Sequence, residues 1–121
     1  MTSRLWASAA LLPLLAACQS GPTPGEQSAS SQSEIGITRE VQAYYERYRS
    51  ERLPLAFAVS EDGQWAYFVY CEGMRCEGGG HPTGAQINQA IAGCNEREAL
   101  HGPCSLFAKG VEAPRKYHLI D

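Results

Sequence analysis

Five cysteines and three histidines carry most of the reactive chemistry in this 121-residue chain. The cysteines stand at positions 18, 71, 76, 94 and 104, the histidines at 81, 101 and 118. Such thiols can pair as disulfides, ligate zinc, accept an acyl group or act as redox nucleophiles, and spacing decides among these. Cys71-x4-Cys76-x4-His81 with His101-x2-Cys104 offers zinc-type ligands, but the first spacing lies at the edge of structural-zinc patterns. Four residues between Cys71 and Cys76 also depart from the Cys-x-x-Cys turn that tunes thiolate acidity at a helix start. None of the histidines has a serine or carboxylate at a triad-like motif spacing, and neither Ser60 nor Ser105 lies in a Gly-x-Ser-x-Gly elbow. No catalytic residue, metal ligand or cofactor is assigned on these grounds. The run Glu77-Gly78-Gly79-Gly80-His81-Pro82 precedes a helix and would offer backbone N–H groups to an anion, yet it lacks the Gly-Lys-Ser/Thr ending of a phosphate loop. It reads as a surface connection. Glu61, Asp62, Glu72 and Glu77 form an acidic rim at the ends of a hairpin, solvated or open to a cation or a basic partner.

Charge and length narrow the classes further. Ten Lys+Arg against 13 Asp+Glu give a net charge of −3, which supplies no basic field for a nucleic-acid backbone. A chain of this length holds one domain at most, too small for a large cofactor enzyme.

Residues 1–17 hold one positive charge at Arg4, no acid, and a thirteen-residue apolar stretch from Leu5 to Ala17 interrupted by Pro13. A membrane span needs roughly 20 apolar residues, so this segment is expected to be a signal peptide. It ends Leu15-Ala16-Ala17-Cys18, which resembles the lipobox of bacterial lipoproteins. The resemblance implies cleavage before Cys18 and acylation of that cysteine, an anchor worth about 0.8 kcal/mol per buried CH₂. Gln19-Ser20 lack the aspartate that marks inner-membrane retention in enteric lipoproteins, so the resemblance points to the periplasmic face of the outer membrane. Removal of residues 1–17 leaves nine basic and thirteen acidic residues, a balance of −4.

Residues 18–36 are expected to form the lipidated cysteine and a disordered tether. The stretch QSGPTPGEQSASSQSEIG contains Ile35 as its one large apolar side chain and cannot offset its ordering entropy by burial. Its flexible span is roughly 25 Å.

Residues 37–121 are expected to fold. Val41, Tyr44, Tyr45 and Tyr48 recur at helical spacing behind Thr38, a candidate N-cap, and Pro54 ends that helix. The tyrosines read as a core stripe rather than a stacking platform. Residues 55–60 and 64–71 alternate around Glu61-Asp62-Gly63 and predict a β-hairpin. Leu55, Phe57 and Val59 should share one face, and Ala56, Ala58 and Ser60 the other, where small side chains admit a helix. The second strand is apolar on both faces and is expected at the sheet centre. Thr83 opens a second helix with a Thr-x-x-Gln cap to Gln86, carrying Ile87, Ala90, Ile91 and Cys94 on one face. Residues 104–109 predict a third strand and 116–120 a fourth. The fold class is therefore α+β, of order α-β-β-α-β(-β), an antiparallel sheet with helices packed on one face and stabilised by disulfides.

The segments 58–63, 67–71, 90–94 and 103–108 resemble a pattern of small exported bacterial proteins of unknown function: an Ala-x-Ser-x-Asp-Gly hairpin, a Tyr-Cys strand end, Ala-x-x-x-Cys on a helix and a following Pro-Cys strand. The resemblance implies no catalytic residue. In an exported domain Cys71, Cys76, Cys94 and Cys104 form an even set suited to disulfides. Cys71–Cys76 and Cys94–Cys104 are the favoured pairs, with cross pairings of Cys71 to Cys94 or Cys104 left open. Loops of this size stabilise by roughly 2.2 and 2.8 kcal/mol in the chain-entropy model. The functional expectation is a non-catalytic, lipid-anchored envelope protein that binds the membrane through its lipid and an envelope protein through its domain, without nucleic acid. The alternatives are an inhibitor of an envelope hydrolase and a small zinc- or thiol-dependent enzyme.

Overall fold

Local sequence signals set the helix starts. The Thr38 hydroxyl accepts a hydrogen bond from the Val41 N–H at 3.2 Å and opens α1 (Arg39–Ser50). At α2 (Gly84–Asn95) Thr83 and Gln86 form a reciprocal capping box, satisfying two otherwise orphaned donors. The computed structural model describes residues 32–73, 76, 78 and 81–121. Around the helices lie β1 (Ile35–Ile37), β2 (Pro54–Ser60), β3 (Ala66–Tyr70), the single turn α3 (Glu98–His101), β4 (Cys104–Lys109) and β5 (Tyr117–Leu119).

The main sheet is antiparallel with order β3-β2-β4, so the centre is β2 and not the strand expected there. Burial explains the exchange. Every residue of β2 is buried, because its small alanines accept α2 on one face while Phe57 and Val59 meet α1 on the other. In β3 the bulky Tyr67, Phe68 and Tyr70 are only half-buried, as suits an edge.

The two helices cover opposite faces of this sheet rather than one. Val41, Tyr45 and Tyr48 of α1 join Phe57, Val59 and Phe107 in one cluster, while Ile87, Ala90 and Cys94 of α2 join Ala56, Ala58 and Leu106 in the other. The α1 cluster is aromatic: Tyr45 meets Phe107 edge-on at 5.0 Å and Tyr48 meets Phe57 at 5.6 Å. The Tyr48 hydroxyl donates to the Gly110 carbonyl at 2.8 Å, which satisfies the polar end of a buried ring. Leu55 leaves the expected Phe57/Val59 face and packs with Ala56 toward α2, since a register shift between Pro54 and Ala56 inserts an extra residue.

A separate two-stranded parallel sheet closes the chain ends. β1 pairs with β5 in the register Ile35↔Tyr117 to Ile37↔Leu119. The ordered domain thus starts before residue 37: Ile35 is buried, and the Arg115 guanidinium, itself buried, donates to the Ser33 carbonyl and to the Ser105 hydroxyl. Residues 35 and 36, expected in the tether, belong to the folded domain instead, because Ile35 and Ile37 flank Gly36 and pack against the α1 side of the core; residues 1–31, with the expected signal peptide and most of the expected tether, lie outside the described residues. Burial lowers the pKa of Arg115 from its ordinary value. Asp121 then accepts from the Arg39 N–H at 2.9 Å, placing a carboxylate at the positive end of α1.

Two disulfides staple this arrangement. Cys71–Cys76 closes the loop after β3, and Cys94–Cys104 ties the end of α2 to the start of β4. Among the described residues no helix is long and apolar enough to cross a membrane.

Candidate functional site

The β2–β3 turn gathers polar chemistry that no local motif announces. Asp62 accepts from the Ser60 hydroxyl at 2.6 Å and the Gln64 N–H at 2.9 Å through one oxygen, and its other oxygen lies 2.9 Å from His101 Nδ1. Burial of the carboxylate works against its charge, but the hydrogen bonds from Ser60, Gln64 and His101 outweigh it and hold Asp62 below the usual carboxylate range. Ser60, Asp62 and His101 are the residue types of a hydrolytic triad in the wrong connectivity: the fully buried Ser60 hydroxyl donates to Asp62, not to the imidazole. The cluster is a brace. It locks the turn to α3, reinforced by Glu61 N–H to Pro103 O at 2.9 Å, while Thr38 N–H reaches Gly63 O at 3.0 Å from the other side.

Beyond that brace the chain leaves an open groove of about 550 Å³. Its floor is Trp65, Ala66 and Tyr67, one wall is Glu40 and Tyr44 of α1, and the other is Glu96 and Arg97 at the end of α2. Trp65 is held on both counts: its ring stacks parallel to His101 with centroids 6.1 Å apart, and the Arg97 guanidinium lies 4.5 Å from its centre. Trp65 Nε1 is the one buried side-chain polar atom among the described residues without a hydrogen-bond partner. Native folds leave few such donors unfilled. Gly93, in the last turn of α2, has a packing reason to be glycine: an added Cβ would lie 2.4 Å from the Tyr67 ring. A second depression of about 440 Å³ continues past Tyr67 along Phe68, Val69 and Tyr70 to Glu72, with Gln89 of α2 as a wall. Aromatic surface, three carboxylates, one guanidinium and three side-chain amides suit recognition of an extended polar ligand.

The residues singled out by type and spacing fall elsewhere. Cys18 lies outside the described residues, as do Glu77, Gly79 and Gly80 of the Gly-rich run. Cys71, Cys76, Cys94 and Cys104 are paired with one another, which occupies the sulfurs that the zinc and redox readings require. His81 borders a different depression with Arg52 and Lys109, and His118 faces Glu34 at 3.2 Å. Among the described residues no three His, Cys, Asp or Glu side chains converge as for a metal ion. Ser105 is bound to Arg115. The groove residues escape the sequence because they come from positions 40 to 97 with no common spacing; the glycine at 93, inside the last turn of α2, is the one local signal that something packs there.

The chain matches no protein-family model, no curated protein and no solved structure.

Proposed function

We propose that this chain is a lipid-anchored cell-envelope protein whose α+β domain binds an envelope component without catalysis. Acylation at Cys18 would hold it at the periplasmic face of the outer membrane, and the residues between Cys18 and Ser33 would form the spacer. The groove around Trp65 is the observation that carries binding: it is open, aromatic-floored, and adjoins an unfilled buried donor. The connectivity of Ser60, Asp62 and His101 supports binding over hydrolysis, since the histidine is not placed to take a proton from the serine. Two disulfides fit a domain that works in an oxidising compartment.

The test is photo-crosslinking in intact cells, with a photoreactive residue in place of Gln64 at the groove or of Val111, which is 91% exposed, on a different part of the surface. An envelope adduct formed from position 64, absent from position 111 and lost with Cys18→Ser is the expected result. Equal adducts from both positions, or none from either, would contradict the reading.

A further inference from the structure

We propose that the outer edge of β3 receives an extended basic peptide segment as a fourth strand of the sheet. This rests on the reading of the groove as a binding site and names what enters it.

The free edge follows from backbone alternation. Trp65 O accepts from Ser60 N–H at 2.8 Å and Cys71 N–H donates to Leu53 O at 2.9 Å, so both residues turn their backbone toward β2. Between them Tyr67 and Val69 do the same, and Ala66, Phe68 and Tyr70 direct their N–H and C=O groups away from the sheet. Among the described residues no hydrogen bond reaches these outward groups, and β2 is the one strand paired with β3. Natural edges are usually blunted by lysine, proline or a covering element. β3 has no lysine or proline in Ala66–Tyr70, and among the described residues two adjoining depressions run along it from Trp65 to Tyr70 instead of a cover. Strand addition to such an edge draws affinity from main-chain hydrogen bonds and specificity from flanking side-chain pockets, here the two depressions on either side of Tyr67.

Charge selects the occupant. Glu40, Glu72 and Glu96 border the two depressions against Arg97 alone, while Arg47 and Glu51, both felt by Tyr70, offset one another. A second copy would bring the same excess of carboxylates to this edge. Residues 19–31 of the chain itself contain Glu26 and no lysine or arginine, so they are repelled as well. A partner segment carrying lysine or arginine on alternate residues is attracted along the whole edge.

The test uses the acylated mature protein in a neutral detergent and an end-capped eight-residue peptide alternating lysine with threonine. Amide exchange is read residue by residue, with Trp65 emission as a second signal. The expected result is exchange slowed about tenfold or more at Ala66, Phe68 and Tyr70, with Tyr67 and Val69, already in the ladder, unchanged. A glutamate-for-lysine peptide should bind about tenfold or more weakly at low salt, and a peptide N-methylated on its pairing amides should not protect the edge. Ala66→Pro removes an outward N–H that β2 does not use; it should keep the thermal midpoint and lose the peptide. Unchanged exchange at the three amides, or equal binding of the N-methylated peptide, overturns the proposal whether or not the variant folds. Protection that grows with protein concentration without peptide assigns the edge to a second copy and overturns it too. A Trp65 response to a chitin-type oligosaccharide without amide protection would keep the groove as a binding site while overturning strand addition.

Discussion

The Arg97 guanidinium lies 4.5 Å from the centre of the Trp65 ring, joining the end of α2 to the first residue after the β2–β3 turn. Both side chains border the groove, so the contact shapes its floor and one wall. Arg97 is exposed, and Trp65 is the one tryptophan of the chain besides Trp6. Arg97→Ala is expected to cost about 0.5–1 kcal/mol of stability and to shift Trp65 emission in the folded state. Chemical unfolding followed by fluorescence reads both. An unchanged folded spectrum would mean that the cation does not rest on the indole in solution.

Asp62 gives the domain an acid-sensitive brace. Its folded pKa lies below the ordinary value of 3.8, so its contribution is fully present above that value and is lost as pH falls through the depressed folded value. Asp62→Asn should flatten this acid limb of the stability profile and cost about 1–2 kcal/mol at neutral pH, the solvent contact of the pair reducing what a buried charge-assisted bond would give. Urea unfolding from pH 2 to 7 checks it. Parallel acid limbs for the two proteins would show that other carboxylates carry the effect.

Two glycines should respond differently to alanine. At Gly63, φ is +72° and an added Cβ would lie 1.9 Å from the Gly36 carbonyl oxygen, a backbone atom that cannot step aside. Gly63→Ala is expected to cost more than about 3 kcal/mol. At Gly93 the obstacle is the Tyr67 ring on the sheet edge, which can swing outward, and alanine gains about 1 kcal/mol of helix propensity. Gly93→Ala should therefore stay within about 1 kcal/mol of the parent while reshaping the groove. Thermal midpoints of the two variants, compared side by side, decide this; equal losses would contradict it.

The staples should differ by loop size. Replacing Cys94 and Cys104 together by alanine is expected to cost about 2.8 kcal/mol, and replacing Cys71 and Cys76 about 2.2 kcal/mol, on the chain-entropy model. In a domain of this size each kcal/mol lowers the thermal midpoint by roughly 4–8 °C. Cys94 is also fully buried against Ala90 and Leu106, which adds to the first loss. A larger loss from the Cys71–Cys76 pair would reverse the expected order.

Elements fixed by neighbouring residues were legible: Thr38 and Thr83 as caps, Asp62-Gly63 as a turn, the Tyr45/Tyr48 stripe, and a sequence-local pairing of cysteines. Features set by distant partners were not. Ile35–Ile37 is too short to show a period and becomes a strand because residues 117–119 lie beside it. The apolar bulk of Tyr67, Phe68 and Tyr70 suggests a central strand, whereas at the sheet edge it lines the two depressions; β2, with alanines under α2 and Phe57 and Val59 under α1, is the strand covered on both faces. Asp62 and His101 stand 39 residues apart and meet because Cys94–Cys104 and the single turn α3 bring that segment back to the hairpin.

The intact mass of the protein purified from membranes, before and after reduction, tests the proposed compartment and chemistry together. A lipid-anchored, disulfide-stapled protein will begin at an acylated Cys18 and gain the mass of four hydrogens on reduction, two for each disulfide. A chain that retains residues before Cys18, or that begins there unacylated, would contradict the anchor, and a smaller gain would contradict the staples.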